Sequence, residues 1–113
     1  MTGTNTPIDG DLQWLYVTTA NDLEAQSIAR ALVGERLAAC ANVLGAIQSF
    51  YWWDGKMQED AEVALVLKTQ RHLVAQATAR IKALHSYDCP CVVALEITGG
   101  NPDFLNWVVK ETA

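Results

Sequence analysis

The run Phe50, Tyr51, Trp52, Trp53, Asp54, Gly55 limits what this chain can fold into more than any other segment. Asp-Gly between apolar runs marks a two-residue hairpin turn, because both turn positions take a positive φ that these residues tolerate. Side chains alternate across a strand, so four consecutive aromatic residues send two large rings to each face of the hairpin. The returning segment, Lys56 to Lys68, spans roughly 40 Å at strand rise. Its distal half places Val63, Leu65 and Leu67 on one face and Ala64, Val66 and Lys68 on the other. The chain therefore contains a long hairpin that is apolar on both sides, and something must cover each side.

The flanking segments supply one layer. Leu12 to Thr19 reads as a strand buried on both faces. Asn21 stands where it can cap a helix, with Glu24 three residues on in capping-box position. Ala25, Ile28, Ala29 and Leu32 follow at helical spacing to about Arg36, with Glu24, Arg30 and Glu35 outside. Leu37 to Val43 is a small-residue connection, Gly45 marks a bulge or bend, and Ala46 to Trp53 is the outgoing strand of the hairpin. Thr69 can cap a second helix with Leu73, Val74, Ala77, Ile81 and Leu84 inside and Arg71, Arg80 and Lys82 outside. Ser86 to Pro90 breaks that helix, and Cys91 to Thr98 reads as a fourth strand. Gly99 and Gly100 turn the chain, Asn101 caps, and Pro102 takes a first helical position where its missing N–H is harmless. The last helix turns Phe104, Leu105 and Val108 inward and ends near Glu111. The order β-α-β-β-α-β with a C-terminal helix predicts an α+β, ferredoxin-like antiparallel sheet with both crossover helices on one face.

At 113 residues the chain fits one domain with a core that needs no disulfide or metal staple. Residues 1–11 lack the basic and apolar regions of a signal peptide and read as a disordered polar leader, which leaves 12–113 as the domain. Three cysteines, an odd number without framework spacing, predict reduced thiols and a cytoplasmic location. A net charge of −5 repels phosphate backbones and anionic membranes, so neither nucleic acid nor a membrane is the expected partner. No apolar run approaches the ~18 residues of a membrane span. No phosphate-binding loop, dinucleotide fingerprint, zinc-protease motif or nucleophile elbow is present, and the chain is not expected to be an enzyme.

Two helices cover one sheet face only, so the other should be polar in a monomer. Here Phe50, Tyr51, Trp52 and Trp53, with Ala64 and Val66, make a second apolar surface. An exposed aromatic hairpin with free edges invites uncontrolled pairing. Another copy of the chain is the expected cover, and these four aromatic residues the expected interface.

The segments ERLAACANV, SFYWWDGKMQEDAEVALVLKT, LHSYDCP and GNPDFLNWV resemble, in order and spacing, the CutA family of divalent-cation tolerance proteins. The resemblance covers nearly everything from Leu12 to Val109. It implies a ferredoxin-like fold, a homotrimer built by sheet edges pairing between subunits, and a link to tolerance of copper and other divalent cations. The number three comes from this resemblance. One departure stands out. Where the family commonly has His-Pro-Tyr followed by Pro-Glu, this chain has His85, Ser86, Tyr87, Asp88, Cys89, Pro90 and Cys91, so a soft sulfur replaces a carboxylate.

His85, Cys89 and Cys91 form the one soft-ligand cluster in the sequence, suited to Cu(I) or Zn²⁺. If residues 89 and 91 are extended, their side chains share a face with Cα atoms about 6.5 Å apart. The competing reading makes Cys91 a small apolar strand residue, Cys89 incidental and His85 a hydrogen-bonded helix-end residue. Lys68, Thr69 and Arg71, beside the free N–H groups of a helix start, can bind a small anion. In the family a pocket between subunits lies near the matching lysine-threonine and histidine-tyrosine positions, which adds Tyr87. A solvated, capped strand end is the alternative. Cys40 among alanines reads as a small hydrophobe. His72 reads as solvent-facing, and Glu59, Asp60 and Glu62 as a solvated acidic rim. The expected role is a homotrimeric, copper-binding tolerance protein. The alternative is a trimeric signalling protein like the PII regulators, although Asp54-Gly55 leaves no room for their long mobile loop.

Overall fold

The computed structural model describes residues 11–113; residues 1–10, which carry nearly all of the expected leader, lie outside them. The elements run β1 (Leu12–Thr19), α1 (Asp22–Gly34), β2 (Cys40–Trp53), β3 (Lys56–Gln70), a 3-10 turn (Arg71–Leu73), α2 (Val74–Leu84), β4 (Val92–Glu96) and α3 (Pro102–Glu111). All strand pairs are antiparallel, in the order β2-β3-β1-β4. This is the expected α+β sheet with two crossover helices and a terminal one.

The Asn21 side chain accepts from the Glu24 N–H at 2.9 Å, as a capping box requires. Glu24 reaches back one residue further than in that motif, accepting from the Ala20 N–H at 2.9 Å. α1 ends in a Schellman arrangement in which Leu37 N–H donates to the Leu32 carbonyl at 2.9 Å and Arg36 N–H to the Val33 carbonyl at 3.1 Å. The left-handed residue there is Arg36, at φ 63°.

β2 begins at Cys40, inside the segment read as a connection. Cys40 pairs with Lys68, and Ala41, Asn42 and Val43 continue the ladder. A bulge then shifts the register between Val43 and Gly45, where Gly45 sits at φ 106°. Asp54 and Gly55 take φ 53° and 73°, the two positive values of a type I′ turn.

Three expectations need correction. Thr69 does not cap a helix: it pairs with Gln13 within β3, and the ladder runs on to Gln70 opposite Leu12. Strand pairing and burial hold it there, and α2 starts later without a side-chain cap. β4 is shorter than 91–98 because its partner β1 pairs only from Gln13 to Val17. Phe104 is 41% exposed and stacks with Trp107 at 5.5 Å on the outer side of α3, while Leu105, Val108 and Val109 pack inward.

Alternation in β1 separates two packed layers. Leu15 and Val17 join Ala25, Ile28 and Leu32 of α1, Leu65 and Leu67 of β3, and Ala77 and Ile81 of α2. Leu12, of the opposite parity, packs with Val108 of α3. Gln70, opposite Leu12, holds α3 in place by donating to the Thr112 hydroxyl at 2.7 Å. So α3 covers one end of the second sheet face, which the sequence had left open throughout. The rest stays uncovered within one chain. Val93 and Leu95 of β4 are exposed, as are Phe50, Tyr51, Trp52, Trp53 and Met57 along the hairpin. The hairpin stretches the molecule to 55 × 24 × 23 Å, with a radius of gyration of 15.2 Å. A compact chain of this size would have about 13 Å.

Candidate functional site

A cavity of about 890 Å³ opens at the root of the hairpin, where the second sheet face meets the loop after α2. Thr18, Ser49 and Ala61 form part of its floor; Tyr51, Trp53, Asp60, Glu62, Tyr87, Asp88, Cys89 and Cys91 bring its chemistry. The lining holds three carboxylates, two phenols and two thiols, and no lysine, arginine or histidine. A concave surface of one sign concentrates counter-ions, so this cavity favours cations.

The carboxylates and phenols are paired. The Tyr87 hydroxyl donates to Glu62 Oε2 at 2.9 Å, and the Tyr51 hydroxyl donates to Asp60. Burial, then the bond to Glu62, holds the Tyr87 phenol well above its ordinary value. The bond to Asp60 raises Tyr51 in the same direction. Both phenols therefore stay protonated donors at neutral pH. Glu62 is only 7% exposed, which corrects its placement in a solvated rim. It faces inward because it alternates with Val63 on a strand whose second face is closed there by Tyr87.

The loop that carries the thiols is fixed from below. The His85 side chain is fully buried; Nε2 donates to the Thr18 carbonyl at 2.8 Å, and Nδ1 accepts from the Tyr87 N–H at 3.1 Å. Those partners leave neither ring nitrogen free. Glu24 Oε1 lies 3.7 Å from Nδ1, and Glu24 Oε2 accepts from the Ser86 N–H at 2.9 Å. Burial pushes the Glu24 carboxyl up, but the bonds from Ala20 and Ser86 more than offset it and leave its pKa below the usual range.

The structure thus separates the soft-ligand cluster read from sequence. Cys89 and Cys91 are exposed and line the cavity, whereas His85 is buried beneath it. Among the described residues no three His, Cys, Asp or Glu side chains converge as metal ligands. A divalent ion held by His85, Cys89 and Cys91 does not fit this geometry. Cys40 is half-buried at the start of β2, and His72 is exposed, with Nε2 3.2 Å from the Ala113 carbonyl.

The anion-pocket residues are also dispersed within one chain. Lys68 Nζ donates to Asn42 Oδ1 at 2.8 Å, and Arg71 pairs with Glu96 at 3.0 Å. Thr69 is fully buried, its hydroxyl without a hydrogen-bond partner. It alternates with Lys68 and so points to the opposite face of the sheet. Of the four, Tyr87 alone lines the cavity. Sequence reasoning missed Glu24 and the inward role of Glu62; Glu24 was visible only as a capping residue.

A family model described as CutA1 divalent ion tolerance protein matches residues 13–111. The chain is 44% identical over 98 residues to the rice protein named "Protein CutA 1, chloroplastic", covering 87% of this chain and 55% of that one. It is 42% identical over 105 residues to the mouse "Protein CutA", covering 93% and 59%. It thus spans little more than half the length of these two relatives. The solved structure of the divalent cation tolerance protein Cut A1 from Thermus thermophilus superposes with a TM-score of 0.88 at 40% identity, covering 90% of this chain and 99% of that one. With that match over nearly the whole described fold, the chain belongs to the CutA1 divalent ion tolerance family.

Proposed function

We propose that the chain works in divalent-cation tolerance as a cytoplasmic homotrimer that responds to copper and similar ions, without catalysing a reaction. The observation that carries the assembly is the bare hairpin: Phe50, Trp52 and Trp53 are 61%, 75% and 56% exposed on one contiguous ribbon. Apolar area of this kind on a soluble domain marks an interface. The outer edges of β2 and β4 are free to pair with a neighbour, as the family's trimer requires. The ion response is supported by family membership and by a cavity whose lining is acidic and sulfur-bearing.

A PII-like role finds no matching geometry. The turn at Asp54 and Gly55 is tight, the cavity lining repels anions, and Lys68 and Arg71 are engaged elsewhere.

The test is complementation. Cells lacking the gene should grow poorly at raised Cu²⁺, and the wild-type chain should restore growth. A Trp52→Glu variant, which puts charge into the proposed interface, should fold as a monomer and fail to restore it. Equal growth with and without the gene contradicts the tolerance role. Full rescue by a proven monomer contradicts the need for assembly.

A further inference from the structure

We infer that the cavity at the root of the hairpin binds an organic cation of the quaternary alkylammonium class, held against the rings of Tyr51, Trp53 and Tyr87 and neutralising Glu62. The inference goes beyond the metal-ion response and does not depend on it.

The charge of the cavity wall lacks a partner. Glu62 is more than nine-tenths buried, and Asp60 and Asp88 line the same cavity. Among the described residues none of these three carboxylates is ion-paired; the pairs there join Arg36 to Glu111, Arg71 to Glu96 and Arg80 to Glu35, with His85 beside Glu24. A carboxylate taken out of water without a positive partner is costly, so this wall calls for a cation. Tyr87 fills one acceptor site on Glu62, at Oε2, out of the roughly four that a carboxylate offers.

The kind of cation follows from how the groups are spread. A metal ion needs several ligand atoms at one point, and among the described residues no such group converges. A primary ammonium brings three N–H donors that each seek an acceptor. A quaternary ammonium has no N–H, spreads its charge over its alkyl groups and is recognised by aromatic ring faces in a diffuse negative field. The cavity supplies both. Tyr51 and Trp53 share a hairpin face with Ser49, which stands opposite Asp60, and Glu62 alternates onto that same face. Trp52 falls on the other face, so the cation and the proposed Trp52 contact use opposite sides of the hairpin. The Tyr51 and Tyr87 hydroxyls both donate to carboxylates, which leaves the two rings richer in electrons and strengthens their hold on a cation. His85 on the Thr18 carbonyl and Glu24 on the Ser86 N–H anchor the loop that carries Tyr87, so this wall is in place before the ligand arrives. At about 890 Å³ the cavity has the size of a small-molecule site.

The experiment is calorimetric titration of the full chain with choline, with its neutral isostere 3,3-dimethylbutan-1-ol and with spermidine. Choline should bind saturably at one per chain, and more tightly than either of the other two. Trp53→Leu should weaken choline binding about five- to thirtyfold, while Trp53→Phe, which keeps a ring, recovers most of it. Glu62→Gln keeps an acceptor for Tyr87 and removes the charge, so it should weaken choline and leave the neutral isostere unchanged. Light scattering on each variant separates a lost ring from a lost assembly. No saturable heat at millimolar choline overturns the site. A neutral isostere that binds as well as choline overturns the role of charge, and spermidine binding more tightly overturns the quaternary class. Wild-type affinity in both Trp53→Leu and Glu62→Gln overturns the placement.

Discussion

Glu24 does more than any other single side chain to place the candidate site. One carboxylate accepts backbone N–H groups from the end of β1 and from the loop after α2, while the helix it opens is capped by Asn21. Its folded-state pKa is depressed, so its contribution is present above the ordinary value of 4.5 and is lost as pH falls through the folded value. Glu24→Gln should therefore cost about 1.5–3 kcal/mol at pH 7, the range for hydrogen bonds to a charged group. Urea unfolding of variant and wild type should converge as the solution is acidified below the ordinary glutamate value; a gap that does not change with pH would contradict this. The cluster His85, Cys89, Cys91 was legible as a set of donor types. Its division was not, because the His85 ring is taken up by the Thr18 carbonyl, 67 residues away in sequence, and by the Tyr87 N–H.

At the scale of elements, the chain's local signals are mostly consistent with its fold, and the exceptions have physical causes. Asn21, Gly45, Asp54-Gly55 and Pro102 act locally, through a cap, a bulge, a turn and a first helical position, and all four stand where the sequence put them. Thr69 failed because a cap signal is weaker than a strand ladder whose length is set by distant β1. Phe104 failed because α3 carries large apolar side chains on two sides, Phe104 with Trp107 on one and Leu105, Val108 and Val109 on the other, and the pattern does not reveal which side meets the sheet. Two glycine substitutions separate backbone strain from helix propensity. Gly55 sits at φ 73° with open space where a Cβ would stand, so Gly55→Ala should lose about 1–2 kcal/mol from conformation alone. Gly34 ends α1 in open space without a positive φ, since Arg36 takes the left-handed position. Gly34→Ala should gain about 0.5–1 kcal/mol. Melting temperatures should move in opposite directions, and a shared sign would contradict the assignment of the turn and the helix end.

At the scale of the whole molecule, one chain is an unfinished object. Two layers bury Leu15, Val17, Leu65 and Leu67, and α3 closes one end of the second face over Leu12. Beyond that the hairpin leaves the body of the domain with indole rings in water and Val93 and Leu95 bare on β4. Neither further helices nor further strands remain among the described residues to cover them. In the proposed homotrimer, copies of the chain would supply that cover, and the cavity beside Tyr87 and Glu62 is lined by the exposed hairpin residues Phe50, Tyr51 and Trp53. Light scattering coupled to size separation at micromolar concentration tests this most directly. Three chains of 12.4 kDa should travel as one particle of about 37 kDa, whereas a stable, well-dispersed particle of 12.4 kDa would contradict the account.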